Sequence, residues 1–277
     1  MQPSIARSYL FVPGNRPERF SKACAAGADA VIIDLEDAVP AAEKAAAREK
    51  VALWLDAARP VLIRINAAGS QWFEDDVKLC RAPGVTGIVL PKAETADDIR
   101  FAAQCAAATK ILPLIESARG FCNAQALAQS PAVQRLVFGS IDFQVDLGIS
   151  GENEELLYFR SQLVLVSRLA GLQAPVDGVT TSLDDPGQIR ADTLRGRRLG
   201  FGAKLCIHPR QVAHVNECFT PSPEEVAWAR RVMEAATRAE GAAVAVDGRM
   251  VDRPVILKAQ GILDEAQGRA LKQEAMR

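Results

Sequence analysis

The sequence predicts a (β/α)8 barrel over residues 1–220, followed by a C-terminal helical extension over 221–277. Three observations carry that expectation. Short runs rich in Val, Ile and Leu alternate with longer amphipathic, often alanine-rich segments, and eight such pairs fit before Thr220. Alternation of this kind builds a parallel sheet covered by helices, and eight units suit a barrel, whose usual size is about 250 residues. The turn after the first run reads "PGNRPE". It is not the G-x-G-x-x-G that usually opens a doubly wound nucleotide-binding sheet, so the barrel is favoured over the open sheet.

Taken in order, "RSYLFVP" (7–13) reads as a strand and "RPERFSKACAAG" (16–27) as a helix stopped at Gly27. "AVIIDLED" (30–37) precedes the alanine-rich helix 41–58, and "PVLIRIN" (60–66) precedes helix 71–83. "VTGIVLPK" (85–92) is followed by helix 95–107, and "KILPLIES" (110–117) by helix 122–131. "VQRLVFGSID" (133–142) reads as one strand before the long helix 153–171. "APVDGVT" (174–180) leads to helix 186–200, and "AKLCIHP" (203–209) to helix 210–219. Beyond the barrel, Ser222 and Glu225 form a capping-box pattern at the start of helix 222–241. A turn at Asp247-Gly248 precedes a last helix.

Composition narrows the function. The 277 residues carry a net charge of −1, 49% hydrophobic and 24% charged residues, ordinary for a globular enzyme-sized chain. There is no global charge to draw nucleic acid or an anionic membrane, so neither is an expected partner. No apolar run approaches the roughly 20 residues of a membrane span, and the opening "MQPSIARSYLFVPG" lacks a signal-peptide pattern. The six cysteines show no C-x-x-C spacing. They read as reduced, small core residues of a cytoplasmic protein rather than as zinc ligands.

A barrel of this type holds its active site at the C-terminal strand ends. Those ends bring together Arg16 in the first loop, Glu36 and Asp37 after strand 2, Arg64 and Asn66 on strand 3 and Lys92 after strand 4. Glu116 follows on strand 5, Asp142 on strand 6 and His208 on strand 8. Oxygen ligands outnumber His and Cys, which suits Mg²⁺, Mn²⁺ or Ca²⁺ better than zinc. Arg64 and Lys92 are cations placed to meet an oxyanion or carboxylate.

Each has a plainer reading. Glu116 and Asp142 could simply favour the N-termini of the following helices. Asp34 could form a structural ion pair, and His208 could be a hydrogen-bonded wall residue. His214, on a helix, is expected at the surface. Arg64, between Ile63 and Ile65, should point into the barrel rather than to solvent.

The stretches "LFVPGNRPERFSKACAAGADAVIIDLEDAV", "VLIRINA", "GIVLPKAE", "LPLIESARG", "FGSIDFQVDLG" and "GRMVDRPV" together resemble the citrate lyase β-subunit-like group of the aldolase/citrate lyase superfamily. That group includes citryl-, citramalyl- and malyl-CoA lyases. The resemblance covers essentially the whole chain. It implies a Mg²⁺ cofactor and reversible cleavage of a 3-hydroxyacyl-CoA into a short acyl-CoA and a 2-oxo acid. By motif, it implies Glu116 and Asp142 as metal ligands, with Glu116 also at the substrate, and Arg64 as a substrate-binding and catalytic arginine. Asp252 of "GRMVDRP" matches a tail aspartate that acts at a neighbouring subunit's site, which implies a homotrimer or hexamer. Arg16 is a candidate for the CoA phosphates. Three alternatives stay open: a citrate lyase β subunit acting on an acyl-carrier thioester, a malyl-CoA thioesterase, and a non-catalytic barrel subunit.

Overall fold

The computed structural model describes residues 6–107, 109–238 and 244–275. The first five residues of the opening stretch and the expected end of helix 222–241 lie outside them. The chain divides into two compact units, one of which includes Ala6–Phe219 and the other Thr220 onward.

The first unit is a closed barrel of eight parallel strands in sequential order. They are β1 (Ser8–Pro13), β2 (Ala30–Asp34), β3 (Val61–Arg64), β4 (Val85–Leu90), β5 (Lys110–Ile115), β6 (Val137–Phe138), β7 (Val176–Asp177) and β8 (Ala203–Cys206). Around them lie α1 (Phe20–Cys24), α2 (Lys44–Trp54), α3 (Phe73–Leu79), α4 (Ala96–Cys105), α5 (Ala118–Cys122) and α6 (Ala124–Ala128). The ring is completed by α7 (Ser140–Leu147), α8 (Leu157–Leu169), α9 (Pro186–Leu199) and α10 (Pro209–Cys218).

Strand alternation divides the apolar residues between two cores. Tyr9, Ile32, Leu62, Val89, Leu112, Leu114, Val137, Val176, Ala203 and Leu205 fill the barrel interior. Their strand neighbours, such as Leu10, Val31, Ile33, Ile63 and Ile115, pack against the helices. At the N-terminal end, Arg135 is fully buried and donates to the carbonyls of Ala6 and Ala174.

Several expected boundaries shift, and two of the shifts change the elements themselves. The run 133–142 is not one strand: β6 ends at Phe138, and residues 140–147 form α7. Gly139 breaks the extended run, and its backbone passes too close to Glu116 for any side chain. The expected helix 122–131 is two short helices meeting at Asn123. The cysteines also depart from expectation. Cys80, Cys206 and Cys218 are buried, but Cys24 and Cys122 are exposed, because short α1 and α5 each turn one face to water.

In the second unit, α11 (Pro223–Arg238) begins with a complete capping box. Glu225 N–H donates to Ser222 Oγ at 3.1 Å, and Ser222 N–H donates to Glu225 Oε2 at 2.8 Å. The hairpin β9 (Val244–Val246) and β10 (Arg249–Val251) turns at Asp247 and Gly248, both at positive φ (52° and 74°). That is the type I′ geometry that suits strand twist. The last helix, α12 (Arg253–Ala275), follows. Among the described residues no helix is long and apolar enough to cross a membrane.

Candidate active site

The C-terminal strand ends open on a cavity of about 410 Å³. Register explains its first feature. Asp34, the last residue of β2, lies directly opposite Arg64, the last residue of β3. Arg64 follows Leu62 on the inward face, as its place in the sequence predicts. Its Nε and Nη2 donate to the two Asp34 carboxylate oxygens at 2.7 and 2.6 Å, a bidentate fork. Asp34 also accepts the N–H groups of Glu36 and Ala38, so the loop after β2 wraps around it. The structural ion pair weighed for Asp34 is therefore present.

The remaining Arg64 nitrogen, Nη1, lies 3.1 Å from Glu36 Oε2 and 3.4 Å from Asp37 Oδ2, and the guanidinium sits over the Phe11 ring. Burial works against its charge. The hydrogen bonds to Asp34 and the charges of Asp34, Glu36 and Asp37 outweigh burial and raise the Arg64 pKa.

Glu116 follows β5 and is almost fully buried. Its Oε1 accepts the Lys92 N–H at 2.6 Å. Lys92 reaches that position through a left-handed backbone, φ 47°, uncommon for a residue with a side chain. Lys92 Nζ donates to Glu36 Oε1 at 3.3 Å. Burial, then the nearby Glu36 charge, pushes the Glu116 carboxyl up to about 8, and Asp142 adds to the shift. Burial is also the main cause that raises Glu36.

Asp142 lines the same cavity. It does so from the first turn of α7 rather than from a strand end, which corrects its expected position. Among the described residues no side chain caps α7. Its opening residues, Gly139 to Asp142, line the cavity, and free N–H groups in a first helical turn are ready donors to an anion.

The mouth thus gathers five carboxylates, Asp34, Glu36, Asp37, Glu116 and Asp142, against the cations Arg64 and Lys92. Lys44 adds a third positive group, but its Nζ is held by the carbonyls of Leu35 and Glu36. Asp34, Glu36 and Glu116 are buried, while Asp37 and Asp142 are exposed; this excess of carboxylate, with Glu116 driven toward its neutral form, fits a divalent cation. Among the described residues no three Asp, Glu, His or Cys side chains form a ready-made metal cage. Two carboxylates completed by water and substrate is a common arrangement for Mg²⁺.

The other candidates lie elsewhere. Arg16 is exposed on the turn after β1 and does not line the cavity. His208 caps α10, its Nδ1 accepting the Arg210 N–H at 3.2 Å. His214 is partly buried rather than on the open surface, and its buried Nδ1 has no hydrogen-bond partner among the described residues. Asp252 belongs to the second unit, where its Oδ1 accepts the Val255 N–H at 3.3 Å at the start of α12. Sequence reasoning missed Ser140, which lines the cavity with a buried Oγ that has no hydrogen-bond partner among the described residues. It also missed the apolar wall formed by Phe11, Leu114, Val179 and Leu205. The inward strand positions in the sequence carried that second signal.

A family model described as HpcH/HpaI aldolase/citrate lyase matches residues 7–209. The chain belongs to that family. A citrate lyase subunit beta-like protein of Deinococcus radiodurans is 41% identical over 280 residues, covering 94% of this chain and 97% of that protein. A (3S)-malyl-CoA thioesterase of Cereibacter sphaeroides is 34% identical, with 94% of each chain covered. CitE of Mycobacterium tuberculosis, solved with magnesium, acetoacetate and coenzyme A, superposes with a TM-score of 0.85. It is 34% identical and covers 94% of this chain and 98% of that one. The barrel, the matched span and these relatives together place the protein in the citrate lyase family of enzymes.

Proposed function

We propose that the protein is a Mg²⁺-dependent carbon–carbon lyase. It cleaves a 3-hydroxyacyl-CoA of the citramalyl, malyl or citryl type into a short acyl-CoA and a 2-oxo acid, reversibly. One observation carries the reading: Glu116, Asp142 and the pinned Arg64 all line one cavity at the barrel mouth. The relatives support it, since CitE was solved with magnesium and coenzyme A.

Glu116 and Asp142 would hold the Mg²⁺. When bound, the ion supplies Lewis-acid polarisation of the oxo-acid carbonyl. Among the described residues Arg64 is the one cation lining the cavity. Asp34 fixes its orientation, so its charge is preorganised for an oxyanion without side-chain reordering. In cleavage a general base takes the hydroxyl proton, the C–C bond breaks and the electron pair becomes a thioester enolate. Asp252 of a neighbouring copy would return a proton to the acyl α-carbon, which makes the active form a homo-oligomer. The α7 N-terminus would receive a substrate carboxylate. Arg16 remains the candidate for the CoA phosphates.

The test is product analysis with purified protein, Mg²⁺ and a panel of citramalyl-, malyl- and citryl-CoA. A 2-oxo acid with acyl-CoA supports the lyase. The second reading, a thioesterase, is favoured by the malyl-CoA thioesterase relative and would release the free hydroxy acid with CoA. Absence of both products sinks both readings.

A further inference from the structure

Two cations and two acids are buried between the strands and the helices. Val176 of β7 and Ala203 and Leu205 of β8 fill the barrel interior, so their strand neighbours Asp177 and Lys204 point outward, under the helices. Arg160 of α8 and Asp192 of α9 lie with them, and all four are almost fully buried. Burial lowers the Lys204 pKa, and the charges of Asp177 and Asp192 oppose that shift. None of the four is among the described residues that line the cavity. Such a cluster stabilises a fold little more than well-packed apolar residues would.

Its hydrogen bonds converge on one place, the backbone of Gly178. Asp177 Oδ1 accepts the Gly178 N–H and the Arg160 Nε–H, each at 2.9 Å. Lys204 Nζ donates to the Gly178 carbonyl at 2.7 Å and lies 4.0 Å from Asp177 Oδ2. Ionic side chains thus take both backbone polar groups of Gly178, just past the end of β7. Arg160 is itself fixed: its Nη1 donates to the Glu152 carbonyl at 2.7 Å, and its guanidinium sits over the Phe138 ring.

On its other side Gly178 touches the active site. A Cβ at 178 would lie 2.2 Å from Ser140 Oγ and 3.0 Å from Ser140 Cβ. Ser140 is the first residue of α7, two before Asp142, and Val179 follows Gly178 into the cavity wall. The Gly178 backbone is a shelf against which α7 starts. We propose that Lys204, Asp177 and Arg160 are positioning residues for the active site. By gripping Gly178 they fix the start of α7, and so hold Asp142 where it meets the divalent cation. This rests on the reading of Glu116 and Asp142 as metal ligands and adds the residues that keep Asp142 in place.

Mg²⁺ calorimetry on the full-length protein tests this without turnover. Lys204→Met keeps the length of the side chain and removes the donor to Gly178. The native protein should bind Mg²⁺, and the variant should bind it about tenfold more weakly or worse, the usual size for groups that orient metal ligands. Arg135→Met is the control. Arg135 is equally buried and also donates to backbone carbonyls, but at the N-terminal end of the barrel. Its loss should lower the melting temperature and leave Mg²⁺ affinity native. Gly178→Ala reads the contact without touching the buried charges, and it too should weaken Mg²⁺ binding. Ser140→Gly removes both crowded atoms, so adding it to Gly178→Ala should recover affinity. Native affinity in Gly178→Ala, or no recovery in the double variant, overturns the inference even if Lys204→Met does not fold. Native affinity in a folded Lys204→Met overturns it as well, as does an equal loss in Arg135→Met, the mark of general loosening. No Mg²⁺ binding to the native protein sinks the metal reading itself, and the inference with it.

Discussion

Glu116 shows how much a single residue depends on its neighbours. The Lys92 N–H holds one carboxylate oxygen, and Gly139 passes so close that a Cβ there would lie 2.7 Å from the other. A methyl at 139 must displace Glu116. Gly139→Ala is therefore expected to weaken Mg²⁺ binding at least about tenfold, by calorimetry, while the circular dichroism spectrum stays native. Glu116→Ala and Asp142→Ala should each abolish Mg²⁺-dependent activity without unfolding the protein. Normal Mg²⁺ dependence in either would remove that residue from the metal site. The raised Glu116 pKa, about 8, has a definite sign for metal binding. Below that pH the carboxyl holds a proton that a cation must displace, so Mg²⁺ affinity should rise with pH up to about 8. At pH 7 binding should release roughly one proton, measurable as buffer-dependent heat. At Arg64 the geometry of the fork matters: Arg64→Lys keeps the charge but cannot make the bidentate pair. A loss of about 10²–10³ in kcat is expected, and full activity in that variant would exclude a geometry-specific role.

At the scale of elements, register and helix starts set the chemistry. The Asp34–Arg64 pair exists because β2 and β3 end in step. Asp142 reaches the mouth because β6 is only two residues long and α7 starts at once. In the second unit, α11 depends on its capping box. Ser222→Ala removes the acceptor for the Glu225 N–H and should destabilise that unit by about 1 kcal/mol. Hydrogen exchange would show this as faster exchange confined to the first turn of α11. Unchanged exchange there would mean that the cap contributes little.

At the scale of the whole molecule, the proposed chemistry draws on both units. Arg64 lies in the barrel and Asp252 in the unit that begins at Thr220. The plainer role of Asp252, capping α12, is visible in its bond to the Val255 N–H, and the proposed catalytic role would be additional. A mixing experiment separates them. Asp252→Ala and Arg64→Ala proteins, each inactive alone, are combined and allowed to exchange subunits. Shared sites pair an intact Arg64 with an intact Asp252 from another copy, so activity should return. No recovery after proven exchange, or a fully active monomer, would end the shared-site proposal.

The order of the eight strands and the inward face of Arg64 were legible in the sequence because both follow from hydrophobic periodicity, a local property. So were the capping box at Ser222 and the turn at Asp247-Gly248, each specified by residues within one turn of each other. The meeting of Arg64, Glu116 and Asp142 was legible once the barrel was assumed, since a barrel brings strand ends together. What only the tertiary structure decided depends on contacts distant in sequence. Asp34, not a substrate, occupies two Arg64 nitrogens, because barrel closure sets the register between β2 and β3. Asp142 sits on a helix, because β6 stops where the Gly139 backbone must pass Glu116. The division of the cavity into a charged side and an apolar side appears only when β8 closes against β1, for no local pattern records which inward residues share a wall.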